Sequence, residues 1–424
     1  MAAVPEDPFR KTRSSQMTAE WSRFASEAAA RSPSRHSRPT RSRTTSRQPS
    51  YPSSFTTERN RSLDGLRGVA VLLTFLVHYA GTYMATFRGG NPNVIAWAGW
   101  RQPFDEVLYW LFHSHHGVYL FFLLSGFLIA RIASSEGFSY ARFVRNRIIR
   151  IYPAFLLALA LCLATGPLLG IPLPSLRDFV FNLLFLNGVP ALGVQGIVFN
   201  NVSWSLFYEM VFYLSFPLVL TIGRRLALPA IAATVLAGVV FAYGPGLAGM
   251  YFEFFVFLFA GAIVGLLSPS GLRTVAASFP DAVVLLLYCI ATSMMTTGYL
   301  NTAQFVWLFA GLGALLLCKA VDGDGGLARA LAWRPLAALG RISYSFYLLH
   351  SAALVALFAL WWHLAIPALG DVVNVVYLGI IGFAGAVGVS SASFQLVEQF
   401  YFRQRQVVPV STAFSVDASA EGAA

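Results

Sequence analysis

The 424-residue sequence predicts an all-α bundle that crosses a membrane many times. Hydrophobic residues make up 56% of it and charged residues only 12%, for a mean hydropathy of +0.62. A soluble globular domain carries about 25% charged residues, so this composition argues against one. The apolar residues gather into runs near the ~20 residues a helix needs to cross a bilayer core. The formal net charge of +11 is spread unevenly along the chain. Placed that way it sets topology and does not mark a nucleic-acid footprint.

Residues 1–59 are rich in Ser, Thr, Arg and Pro and have little apolar periodicity, so they read as a disordered basic tail on the cytoplasmic side. The first membrane-length run starts at Arg61 yet carries Asp64, Arg67 and His78. Arg67 and His78 are 78 − 67 = 11 residues apart. That is close to three helical turns, so both share one face about 16 Å apart along the axis. Asp64, Thr74 and Tyr83 fall on or near the same stripe. A charge at the bilayer centre costs ~2.5 kcal/mol or more unless paired or facing water. The stripe therefore reads as a site looking into a wet cleft. The alternative is that Asp64 and Arg67 anchor the helix start while His78 makes an interhelical hydrogen bond.

A second span, Val107 to Ala130, has His113, His115 and His116 at its outer part. No Cys or carboxylate cluster joins them at ligand spacing, so no metal site is expected and the histidines, His116 among them, read as a substrate-facing or interfacial rim. Tyr140 to Pro153 is a basic amphipathic piece bearing Arg142, Arg145, Arg147 and Arg150. Such a cluster anchors in headgroups or clamps a phosphate through bidentate guanidinium donors. Ile151 to Leu169 is the next span. Asp178 to Leu192 is a shorter apolar piece that does not cross, and Val202 to Ile222 is a span that buries Glu209. Leu226 to Tyr243, Tyr251 to Leu267, Asp281 to Thr297 and Gln304 to Val321 read as four more. A Gly-rich loop, Asp322 to Arg341, precedes a penultimate span with His350 about two turns in. The last span is Val373 to Val397. The count is ten spans, which puts the later basic clusters on the N-terminal side and makes both termini cytoplasmic. Residues 60–402 form the transmembrane domain, and 403–424 are a short disordered tail.

Five segments together resemble the membrane-bound acyltransferase family 3. They are Asp64-Gly-Leu-Arg-Gly68 with His78, Phe121 to Ile129, Arg147-Ile-Ile-Arg150, Trp204-Ser-Leu with Glu209, Phe212 and Tyr213, and Ser343-Tyr-Ser-Phe-Tyr-Leu-Leu-His350. Gln399 and Phe400 depart from the pattern, where the family has Lys or Arg and then Pro. The resemblance implies an integral protein of the plasma membrane that moves an acyl group, acetyl first, from acyl-coenzyme A to a hydroxyl of a carbohydrate or glycolipid. It holds no permanent cofactor. An alcohol needs a base, and the imidazole of His78 suits that task near neutral pH. Arg67 is expected to stabilise the developing oxyanion or to bind donor phosphates. Glu209 is expected to be catalytic, kept charged by pairing with Arg67 or His78. Arg147 and Arg150 would engage the donor's phosphates, and Asp64, Tyr344, His350, Trp204 and His116 would contact substrate. Direct transfer and an acyl-His78 intermediate both remain open. The rival reading is a proton-coupled transporter using the intramembrane Asp64, Arg67, His78 and Glu209, against which stands the lack of an inverted repeat.

Overall fold

The structure, a computed structural model, describes residues 60–87, 116–167, 172–189, 192–194, 201–222, 253–296, 299–300 and 302–399. Among the described residues every regular element is a helix. Helix α1 runs Arg61–Phe87, α2 His116–Ala133, α3 Tyr140–Thr165, α4 Leu176–Leu183 and α5 Trp204–Ile222. Then follow α6 Glu253–Leu266, α7 Pro269–Ala277, α8 Asp281–Thr296 and α9 Thr302–Asp322. The chain continues through α10 Gly326–Leu331, α11 Arg334–Arg341, α12 Ser343–Ala359, α13 Trp361–Leu364 and α14 Gly370–Ser393, which ends in a π-helical turn, Phe394–Glu398.

Five helices are long and apolar enough to cross a membrane, and up to seven spans result if the bent pairs α6–α7 and α11–α12 each count as one. These pairs bend by 117° and 81°. The first bend has a local cause: Ser268 accepts from the Gly271 amide at 3.1 Å, so it caps a new helix, and Pro269 follows at its first turn. Helices α5 and α8 are shorter apolar helices. Exposed Val and Ile side chains on α14, among them Val372, Val376 and Ile380, supply surface that lipid covers.

Two sequence expectations take a different form. The basic piece and the span after it are one continuous helix, α3, with Pro153 inside it. The Asp322–Arg341 loop contains α10 and α11, because short amphipathic turns bury Leu327, Leu331 and Ala337 while Arg334 stays outside. The Asp178–Leu192 piece, expected not to cross, is indeed short: helix α4, capped by Ser175 and followed by a 3-10 turn. The expected span Leu226 to Tyr243, both tails, and His113 and His115 lie outside the described residues.

Two apolar clusters organise the helices. The larger joins α2, α3, α5, α6 and α9, with Tyr119 stacked on Phe257 at 4.3 Å between ring centres. The smaller joins α1, α12 and α14 through Phe75, Phe346 and Phe383. Small residues let backbones meet where helices cross. A methyl group added at Gly65 or Gly68 of α1 would overlap the carbonyl oxygen of Leu331 or Leu336, and one added at Gly340 of α11 would overlap that of Asp64. The start of α1 is therefore locked against α10 and α11, which sets the direction of the side chains between those glycines.

Candidate active site

Helix α1 begins with Asn60 accepting from the Ser62 and Leu63 amides at 3.0 and 3.2 Å, which caps its first turn. One turn on, Arg67 Nη1 donates to Asp64 Oδ1 at 3.2 Å, the i,i+3 pair that the spacing allows. Asp64 is buried and Arg67 is half-buried. With Gly65 and Gly68 pressed on neighbouring backbone, the Arg67 side chain points into a cleft holding about 790 Å³ of empty space, its mouth included.

Arg147 and Arg150 of α3 line the same cleft, one turn apart on one face of their helix. Arg142 and Arg145, on the same segment, are exposed. The Arg147 guanidinium lies over the rings of Phe143 and Tyr213, at 5.1 and 5.2 Å from their centres. Glu209 faces these arginines from α5. Its carboxylate accepts from Ser125 Oγ at 2.6 Å and from the Tyr213 hydroxyl at 2.9 Å. The expected partners, Arg67 and His78, do not supply those hydrogen bonds. Tyr213 thus touches both a cation and an anion. Tyr344 completes the polar end and donates to the Ile151 carbonyl oxygen at 2.8 Å, tying α12 to α3. The opposite wall is apolar, built from α2 by Val118, Phe122 and Leu128 among others.

His78 is not among the residues lining this cleft. It is half-buried, and its Nδ1 lies 2.8 Å from Nε2 of His350, which is fully buried. The expectation that Arg67 and His78 look into one cleft therefore meets two sites. Tyr347 stands between them: it lines the cleft and its ring centre is 6.2 Å from that of His350. The Tyr347 hydroxyl is held by Ser205 Oγ at 2.8 Å and the Val202 carbonyl at 3.0 Å, and its ring meets Phe121 edge to face at 5.7 Å.

The other expected contacts lie elsewhere. Trp204 packs on Phe254 at 4.9 Å and is outside the cleft, although its neighbour Ser205 lines it. His116 is buried among rings, with Phe309 at 4.7 Å and Phe305 at 5.3 Å. Among the described residues no group of three or more His, Cys, Asp or Glu side chains could hold a metal ion.

Ser125, Ser205, Tyr213 and Tyr347 fall within the segments that carry the family resemblance, but none was expected as a site residue. The i,i+4 spacing of Glu209 and Tyr213 was the one local signal available. Glu398 stands just before the departure at Gln399 and Phe400 and was not expected as a site residue. It is buried, and accepts from the Ser345 amide at 3.2 Å and the Ser345 hydroxyl at 2.5 Å. The π-helical turn carries this carboxyl onto the first turn of α12, where it meets the Ser345 amide.

Residues 60–393 match the family model described as an acyltransferase domain. A Komagataeibacter xylinus protein, BcsY, whose name proposes a membrane-bound transacylase, is 29% identical over 324 residues, covering 71% of this chain and 74% of its own. The exopolysaccharide production protein ExoZ of Rhizobium meliloti (strain 1021) is 30% identical over 266 residues, covering 58% of this chain and 81% of its own. Protein 2 in the picA locus of Rhizobium radiobacter is 33% identical over 174 residues, 36% of this chain and 78% of its own. No solved structure matches the chain. The transporter alternative finds no support among these matches. A family match across most of the chain, together with membrane-length helices, makes this an integral-membrane acyltransferase belonging to the membrane-bound acyltransferase family 3.

Proposed function

We propose that the enzyme transfers a short acyl group, acetyl first, from an acyl-coenzyme A thioester to a hydroxyl of a carbohydrate or glycolipid at the plasma membrane. The observation that carries this reading is the convergence of Arg67, Arg147 and Arg150 on one cleft. Three guanidiniums set against Glu209 and the Asp64 that holds Arg67 leave an excess of positive charge suited to the phosphates of a nucleotide-bearing donor. Arg67 and His78 stand about 16 Å apart along α1, a separation comparable to that between phosphate and thioester across an extended pantetheine arm. On this reading Arg67 serves the phosphates and not the oxyanion. Glu209 shapes the same end, by fixing Tyr213 beneath Arg147.

The reaction then needs the side chain of Tyr347 to move, so that the thioester reaches His78. His78 takes the proton of the acceptor hydroxyl as its oxygen attacks the thioester carbonyl. The tetrahedral intermediate collapses with loss of the coenzyme A thiolate, which takes the proton back from the imidazolium. The similarity to ExoZ, an exopolysaccharide production protein, supports a surface polysaccharide as acceptor. Ten spans with cytoplasmic termini fit the positive-inside rule and would put the arginines where acyl-coenzyme A is made.

The test uses purified protein with radiolabelled acetyl-coenzyme A and an oligosaccharide from the host's surface glycan. Label should enter the sugar and resist removal of the lipid. Acetyl-pantetheine, which lacks the nucleotide, should react with a far higher KM. Equal KM values for the two donors would rule out the arginine cleft as the donor site.

A further inference from the structure

The two imidazoles have a defined proton order. Nδ1 of His350 is 3.0 Å from the carbonyl oxygen of Phe346, one turn back on α12. A carbonyl oxygen only accepts, so that nitrogen carries a hydrogen. In the neutral ring Nε2 of His350 is then bare, an acceptor. It lies 2.8 Å from Nδ1 of His78, which must donate to it. The bond is made edge to edge in a common plane. The rings are 20° from parallel and their centres are 5.0 Å apart, close to the N···N distance plus the two ring radii. A face-to-face stack would not bring one nitrogen onto the other's in-plane lone pair.

We propose that His350 is a positioning residue: it accepts the Nδ1 hydrogen of His78 and so presents the Nε2 lone pair of His78 as the catalytic base. The proposal rests on the reading of His78 as base and replaces the expectation that His350 contacts substrate. The chain runs from the Phe346 carbonyl through both rings to the reacting hydroxyl. When His78 takes up the acceptor's proton at Nε2, its Nδ1 hydrogen still points at His350, so the imidazolium keeps a hydrogen bond inside the membrane. The His350 ring is packed by Phe346, whose ring lies 5.8 Å from it and 7° from parallel.

The measurement is nitrogen-15 magnetic resonance of histidine-labelled protein, with the His78 signal identified by its loss in H78N. The expected result is His78 protonated at Nδ1 and bare at Nε2. In H350L, which keeps bulk but offers no acceptor, kcat should fall about 100- to 10,000-fold, as when a base loses its orienting partner, with donor KM within about twofold. H350Q, whose amide oxygen can replace the Nε2 acceptor, should recover kcat to within about tenfold of wild type. A wild-type spectrum with hydrogen on Nε2 of His78 overturns the proposal without any variant, as does an H350L enzyme with kcat unchanged. Full activity in His78→Ala would instead remove the base assignment itself, whatever the spectrum shows.

Discussion

The arginine cleft and the histidine pair lie on the same helix, α1, and are built in opposite ways. The cleft is open and charged, and its members come from five helices whose side chains bond their neighbours: Arg67 to Asp64, Glu209 to Ser125 and Tyr213, Tyr344 to the α3 backbone. The pair has two members, one fully buried and one half-buried, joined chiefly to each other. An open charged site suits a ligand that arrives hydrated and anionic. An enclosed pair suits a proton that must move without water competing for it. The contrast teaches that binding and chemistry are separated along one helix, with Tyr347 and Phe121 at the boundary.

If that division holds, substitutions sort by which kinetic constant they change. The largest effect is expected for His78→Ala, a fall in kcat of about 100- to 10,000-fold with donor KM nearly unchanged. A rise in donor KM of the same size would break the contrast. Arg147→Ala and Arg150→Ala should each raise the KM for acetyl-coenzyme A about 10- to 100-fold, the loss of one charge-assisted bond of ~1.5–3 kcal/mol. Arg142→Ala and Arg145→Ala, exposed on the same helix, should shift it less than about twofold in the same titration. Gly68→Ala should lower stability by about 1–3 kcal/mol, because its methyl meets the Leu336 carbonyl. Gly385→Ala, with nothing within 4 Å, is the control for thermal unfolding in detergent. A smaller effect than that of either cleft arginine belongs to Tyr213→Phe, which keeps the ring under Arg147 but removes the hydroxyl donated to Glu209. About 0.5–1.5 kcal/mol should appear as a severalfold rise in donor KM and leave kcat alone. A kcat effect there would mean that Glu209 reaches the chemistry.

Much of this was legible in the chain itself because it depends on spacing within one helix. Hydrophobic runs forecast the helical class, and the eleven-residue spacing of Arg67 and His78 forecast a shared face; the Asp64–Arg67 ion pair was not forecast, although its i,i+3 spacing allows it. Residues Arg147 and Arg150 were predicted to act together. Tertiary structure alone decided the rest, since contacts between helices leave no periodic trace in sequence. His350 meets His78 across 272 positions, Ser125 reaches Glu209 across 84, and Ser345 receives Glu398 across 53. The depth at which each helix crosses its neighbour, fixed by backbone contact at Gly65, Gly68 and Gly340, determines that Arg67 enters the cleft while His78 stays beyond Tyr347. Periodicity gives a side chain its direction around a helix, and only packing gives it a partner.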